Sequence, residues 1–180
     1  MDVDFRQFYD LESYLFEVVG PRFRANGRLD AFDLFSIIIW KANRAKSRIA
    51  RRLLDSGAGT LEDAAALLTE GLASQPDPKE RLRYLLKDWG LRLPMVSAIL
   101  TVLYPDDFTI YDTRVCDAIG GFHSTGSRSD FDRVWGEYVE FRVTVEEAAP
   151  LTLSLRDKDR YLWGKSFHDQ LRSDMEREFS

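Results

Sequence analysis

The side chains able to do chemistry in this chain fall in two places. From Leu34 to Leu54 there is no Asp or Glu, while Lys41, Arg44, Lys46, Arg48, Arg51 and Arg52 are all basic. That window carries +6 in a protein whose formal net charge is −5, which leaves −11 for the remainder. On a helix, Lys41, Arg44, Arg48, Arg51 and Arg52 recur at steps of three, four, three and one, along one side. A one-sided basic stripe on an acidic protein is either a phosphate-binding edge or a solvated face whose cations pair with acidic neighbours. The second place is Asp112, which stands where an N-cap belongs for a helix over Thr113 to Ile119. A carboxylate at a helix start is kept charged by nearby N–H groups, and such an anion favours the positive character that builds when a bond at a sugar carbon breaks. A plain capping role explains the same residue, and the two roles are compatible.

Other sites fail on spacing. Trp163-Gly164-Lys165-Ser166 contains the GKS of a phosphate-binding loop, but Asp159 occupies the position where that loop needs a glycine. His123 and His168 are the only histidines and have no paired spacing, so no metal site is expected. No GxSxG elbow supports a Ser, His and Asp triad. Cys116 is the only cysteine, so neither an internal disulfide nor a cysteine-built metal centre can form; its helical spacing from Ile119 makes it a small core residue. No cofactor is expected.

The elements that must position these groups read as helices. With 180 residues, 44% hydrophobic and 31% charged, the chain excludes disorder and can bury about 70% of its unfolded surface. No segment approaches the ~20 apolar residues of a membrane helix, and the start, MDVDFRQFYD, lacks a signal peptide's basic and apolar regions. A cytoplasmic protein with no membrane partner is expected. Phe5, Phe8, Leu11, Leu15 and Val18 predict a first helix ending near Gly20-Pro21, followed by a basic connector. Asp30 caps a second helix through Ile39, apolar on nearly every side and so expected at the centre of the core. Asn43 interrupts it, and a basic helix runs to Leu54 with Gly57 as its stop. Thr60 and Asp63 form an approximate capping box, Asp77-Pro78 starts a helix that ends near Gly90, and Leu93 to Leu103 is a short apolar helix stopped by Pro105. Phe108 to Tyr111 is extended or irregular. Val139, Phe141, Val143 and Val145 alternate like a strand, yet Phe131, Val134, Trp135, Tyr138 and Val139 have helical spacing. Helix is the reading adopted, because an isolated strand has no partner for its backbone. Leu155 to Phe179 makes one or two mixed-charge helices.

Two segments, Phe32 to Lys46 and Trp89 to Val115, then stand in an order similar to that of the helix-hairpin-helix DNA glycosylase superfamily of base-excision repair enzymes. In that family an apolar helix runs into a polar turn that meets DNA and a hairpin between helices grips a phosphate. About fifteen residues later a "V/I-D-T-H/R-V" segment holds the catalytic aspartate, here Tyr111-Asp112-Thr113-Arg114-Val115. The match covers residues 30–119, half of the chain. The resemblance implies that Asp112 is catalytic, that Asn43 fills the gap left by a flipped base, and that Arg44 neighbours the backbone. It places the phosphate-binding hairpin at Gly90 to Pro94, with Arg92 beside it. Asn43 also suits a cap for the helix that follows. Two departures are informative. The family's glycine-apolar-glycine core aligns with Arg92-Leu93-Pro94, where proline removes one donor, and the lysine of bifunctional members is replaced by Val96, so no Schiff base and no lyase activity are expected. Trp40 and Tyr111 are the candidates for stacking on an everted base, Trp40 being equally placed for the core.

The expectation is therefore an all-α, compact protein: one helical domain over 1–180, open to division into two lobes with a cleft between them, with a glycosylase-like core at 30–119. Its implied partner is double-stranded DNA, and its implied activity is monofunctional hydrolysis of an N-glycosidic bond. The DNA-contacting residues would be Lys41, Asn43, Arg44, Arg48, Arg51, Arg52, Gly90 and Arg92. The alternatives are a catalytically inactive DNA-binding or regulatory module of the same fold and a helical protein-interaction domain.

Overall fold

The computed structural model describes residues 4–178, and these contain helices, turns and loops with no strand. No described helix is long and apolar enough to cross a membrane. The chain divides into two compact units, one reaching Tyr104 and the other beginning at Pro105, so the boundary falls inside the 30–119 stretch.

In the first unit, helix α1 (Leu11–Tyr14) is capped by the Asp10 carboxylate, which accepts from the Ser13 amide at 3.1 Å. It passes through a π turn (Leu15–Val19) into α2 (Gly20–Asn26). The expected stop at Gly20-Pro21 is therefore corrected: the helix continues to a left-handed Gly27 (φ 71°), and only a short connector remains. The π turn explains why. The Gly20 N–H reaches back five residues to the Leu15 carbonyl, and Pro21, which has no N–H, lands in the first turn of α2, where none is needed. Gly20 also meets the apolar helix α7 (Leu93–Leu103), since a Cβ there would lie 2.6 Å from the Val102 carbonyl oxygen.

Asp30 caps α3 (Ala31–Ala42), accepting from the Asp33 amide at 2.8 Å. Its Leu34, Ile37 and Ile38 are buried, but Phe32 and Ile39 are exposed, so α3 is amphipathic rather than enclosed on every side. Asp33, fully buried, accepts from the Tyr14 hydroxyl at 2.7 Å and pairs with the Arg22 guanidinium, which satisfies a carboxylate that burial alone would make costly. Helices α4 (Lys46–Leu54), α5 (Leu61–Ala73) and α6 (Pro78–Arg83) follow. At the head of α5 the Thr60 hydroxyl accepts from the Asp63 amide at 3.1 Å and donates to its carboxylate at 2.6 Å. A π turn (Tyr84–Asp88) leads to α7, in which every residue except Pro94 is buried. Helices α2, α3 and α6 pack against α7, which is the core of this unit.

The second unit opens with an irregular segment whose Phe108, Thr109, Ile110 and Tyr111 are buried. Helix α8 (Thr113–Ile119) ends at left-handed Gly120 (φ 75°), and α9 (Phe131–Ala148) starts at Asp130, whose side chain accepts from the Asp132 and Arg133 amides. Phe131, Val134, Tyr138, Phe141 and Val145 are its buried residues, at steps of three, four, three and four, as the helical reading of this segment requires. One continuous helix, α10 (Leu155–Glu178), packs against α8 and α9.

Candidate functional site

The basic residues gather around a cavity in the first unit. Helix α3 ends at Ala42, and Asn43–Ala45 makes one 3₁₀ turn before α4 begins. Arg44 of that turn lines the cavity together with Arg48 and Arg52, four apart on one face of α4, and with Lys41 at the end of α3. Across from them run Gly90, Leu91 and Arg92, which lead into α7. The cavity is partly open to solvent and has a volume of about 410 Å³. Five cations, Lys41, Arg44, Arg48, Arg52 and Arg92, line it, and no acidic residue does. Among the described residues, no ion pair involves Arg44, Arg48 or Arg92. Ala45, Ile49, Leu91 and Met95, all buried, supply apolar lining.

The loop across the cavity is held in place by this same cluster. The Arg52 guanidinium donates to the Gly90 carbonyl, and Gly90 is left-handed (φ 59°). Glycine suits this position because its backbone is left-handed, a conformation that side-chain-bearing residues rarely adopt. The Leu91 amide bonds the Leu85 carbonyl at 3.0 Å, fastening the far side of the loop to the π turn. Arg92 is the N-cap of α7 and makes no side-chain capping bond, so its guanidinium stands exposed at the positive end of that helix.

Six of the expected DNA-contacting residues thus share one cavity: Lys41, Arg44, Arg48, Arg52, Gly90 and Arg92. Asn43 and Arg51 do not line it. Asn43 is exposed within the 3₁₀ turn, and the N-cap of α4 is Ala45 with no side-chain bond, so Asn43 does not cap that helix. Arg51 turns back along α4, its Nε donating to the Ser47 carbonyl at 3.4 Å. Trp40 also lies off the cavity wall, half-buried, with its ring edge-on to Phe16 at 5.9 Å. Sequence reasoning missed the apolar lining. Ala45 and Ile49, four apart between the arginines, were the readable signal for half of it.

Comparison of the chain with protein-family models, with curated proteins and with solved structures finds no match. The chemistry of the second site therefore rests on its own geometry.

In the second unit Asp112 is half-buried and caps α8, accepting from the Arg114 amide at 3.0 Å. Tyr111 is buried, its ring edge-on to Phe141 at 5.4 Å. Its hydroxyl donates to the Phe122 carbonyl at 2.6 Å and accepts from the Gly126 amide at 3.3 Å, and burial pushes its pKa above the ordinary tyrosine value. Tyr111 therefore ties down the loop after α8, including Phe122, which holds a positive φ of 68°. Cys116 is buried, and that burial, reinforced by Asp112, pushes the thiol up to about 11, so it is protonated and unreactive near neutrality. The Arg114 guanidinium lies over the stacked rings of Trp163 and Phe167, 5.2 and 5.5 Å from their centres, and donates to Gln170 at 2.9 Å. His123 contacts Asp117 at 2.7 Å and His168 contacts Asp169 at 3.0 Å. Among the described residues, no group of three or more His, Cys, Asp or Glu side chains is arranged to hold a metal ion.

Proposed function

We propose that this chain binds double-stranded DNA through the cationic cavity of its first unit and acts as a monofunctional DNA N-glycosylase, with Asp112 as the carboxylate beside the scissile bond. The observation that carries the reading is the convergence of five cations, with no acid, on one concave wall. Like charges fixed this close repel, and the arrangement is relieved when phosphates enter and their counterions leave. The hydrolytic half is supported by the order of the segments and by Asp112 at the start of α8. An everted nucleotide would lose its base as the C1′–N bond breaks toward the base. The Asp112 carboxylate would stabilise the positive sugar, and the departing base would keep the bonding electron pair. Water would add to C1′ while its released proton goes to the base nitrogen, giving a free base and an abasic site.

Binding is tested with a fluorescent 20-base-pair duplex over a range of salt. Log affinity should fall linearly with log salt. Arg48→Glu with Arg92→Glu should weaken binding by about tenfold or more and flatten that slope by about one for each phosphate no longer neutralised. Lys46→Glu with Arg51→Glu, the same change of charge at two residues off the cavity, should do much less. Equal effects from the two changes would show that the stripe acts only through overall charge.

Activity is tested with a panel of lesion-bearing duplexes and abasic-site detection. Asp112→Asn should keep the cap, because Asn serves there as well as Asp, yet lower base release by about 100-fold or more. Release at the native rate removes Asp112 from the mechanism. A second reading, an inactive DNA-binding module, is favoured by the capping bond, which accounts for Asp112 without any chemistry. Salt-sensitive binding with no release from any duplex would select it.

A further inference from the structure

We propose that the cationic cavity receives the end of a DNA strand bearing a terminal phosphomonoester, in preference to an uninterrupted stretch of backbone. The inference rests on the DNA-binding reading above and names the feature of DNA that this site selects.

Charge density is the first argument. An internal phosphodiester brings one negative charge, and along one strand these charges are spaced by about 3.4 Å. A terminal monoester brings up to two charges on one phosphorus, with three strong acceptor oxygens. Five cations around a single volume of about 410 Å³ match a compact, doubly charged group better than a line of single charges. Guanidinium forks suit it further, since Arg44, Arg48 and Arg92 can each present paired N–H donors to adjacent oxygens, and among the described residues no carboxylate pairs with any of them.

Shape is the second. The backbone of a duplex is a convex ridge, which a flat basic face contacts well. Here the cations surround a concavity whose volume lies within the ~300–1,000 Å³ of small-ligand sites. Its lining is apolar where Ile49, Leu91 and Met95 meet, a surface for the sugar or base face of a terminal nucleotide. A strand end turns into this partly open hollow with no chain continuing past its phosphate, whereas an internal phosphate enters with backbone leaving on both sides. The Arg52 bond to the Gly90 carbonyl keeps the two walls at a fixed separation.

A phosphate at a strand end has two sources, the 5′ and the 3′ terminus, and the experiment separates them. Four versions of one 20-base-pair duplex, each with an internal fluorophore, are compared by anisotropy at fixed salt: 5′-phosphorylated, 3′-phosphorylated, hydroxyl-ended, and a closed dumbbell without ends. One phosphorylated duplex should bind about tenfold more tightly than the hydroxyl-ended duplex and the dumbbell, and its identity gives the polarity. Arg48→Gln with Arg92→Gln, both at exposed positions, should erase that preference while the far-ultraviolet circular dichroism stays native. Four equal affinities overturn the inference and leave the DNA reading standing. Absence of binding to every probe at low salt overturns both. A preference that survives in the double variant shows that the terminal phosphate sits elsewhere.

Discussion

Tyr138→Phe is expected to destabilise the second unit by about 2–6 kcal/mol, far more than removing one oxygen atom suggests. The Tyr138 hydroxyl, at the centre of α9, serves both main-chain groups of Thr109: it donates to the carbonyl at 2.7 Å and accepts from the amide at 3.1 Å. Both residues are buried, Tyr138 at 1% and Thr109 at 0% exposure, so water cannot take over either bond. Each stranded main-chain group costs about 1–3 kcal/mol, and phenylalanine strands two at once. The Thr109 hydroxyl already lacks a partner among the described residues, which leaves this segment no reserve. The phenyl ring itself is retained beside Phe108 and Phe141, so the loss reports the hydrogen bonds and not a cavity. Chemical denaturation of the variant and the parent measures it. A loss below about 1 kcal/mol would mean that the irregular segment is held by packing alone. If the proposed function holds, base release should fall with stability, because Thr109 lies three residues before Asp112, whereas duplex affinity, proposed for the cavity of the first unit, should stay close to native.

The second large effect is a loss of stability at alkaline pH. Burial and the Asp33 carboxylate raise the Tyr14 hydroxyl from 10.0 to about 12, and burial raises the Cys116 thiol from 9.0 to about 11. Burial also pushes the Tyr138 hydroxyl upward. In each case the folded chain holds its proton more tightly than the unfolded chain does. The contribution is therefore complete below the unfolded values and is lost as pH rises, from about 9 to 11 for Cys116 and from about 10 to 12 for Tyr14. Two groups, each displaced by about two units at about 1.4 kcal/mol per unit, amount to about 5 kcal/mol over that range. Urea midpoints at pH 8, 10 and 11.5 follow the decline. Cys116→Ala should remove the part lying between pH 9 and 11 and leave the Tyr14 part, and a stability that stays flat from pH 8 to 11 would contradict the assignment.

Much of the helical organisation was legible because local rules decide it. Asp30, Asp77 and Asp112 all accept main-chain bonds as N-caps at the helix starts expected from the sequence, because capping is short-range chemistry. The choice of helix over strand for Phe131 to Val145 rests on the lack of a pairing partner, and α9 is a single helix through that stretch. The departure at Gly20-Pro21 has an equally physical cause. These two residues normally stop a helix, whereas the π turn before them moves Pro21 into a first turn, and Gly20 answers to the Val102 carbonyl, 82 residues away in the chain. No local pattern contains that approach.

Residue types and spacings alone determined that this chain is all helical, where most of its helices begin, and that its cations lie along one stretch of an otherwise acidic protein, because caps, periodicity and charge are properties of near neighbours. Only the tertiary structure decided which of those cations act together. The Gly90 loop lies against α4 through Arg52, which brings Arg92 to Arg44 and Arg48 and leaves Asn43 and Arg51 outside. It likewise buried the Asp33 carboxylate between Tyr14 and Arg22 and enclosed Tyr111 in the second unit. Each of these outcomes depends on residues far apart in the chain meeting across packed helices, and a carboxylate or an aromatic ring has the same letter in the sequence whichever side of such a meeting it takes.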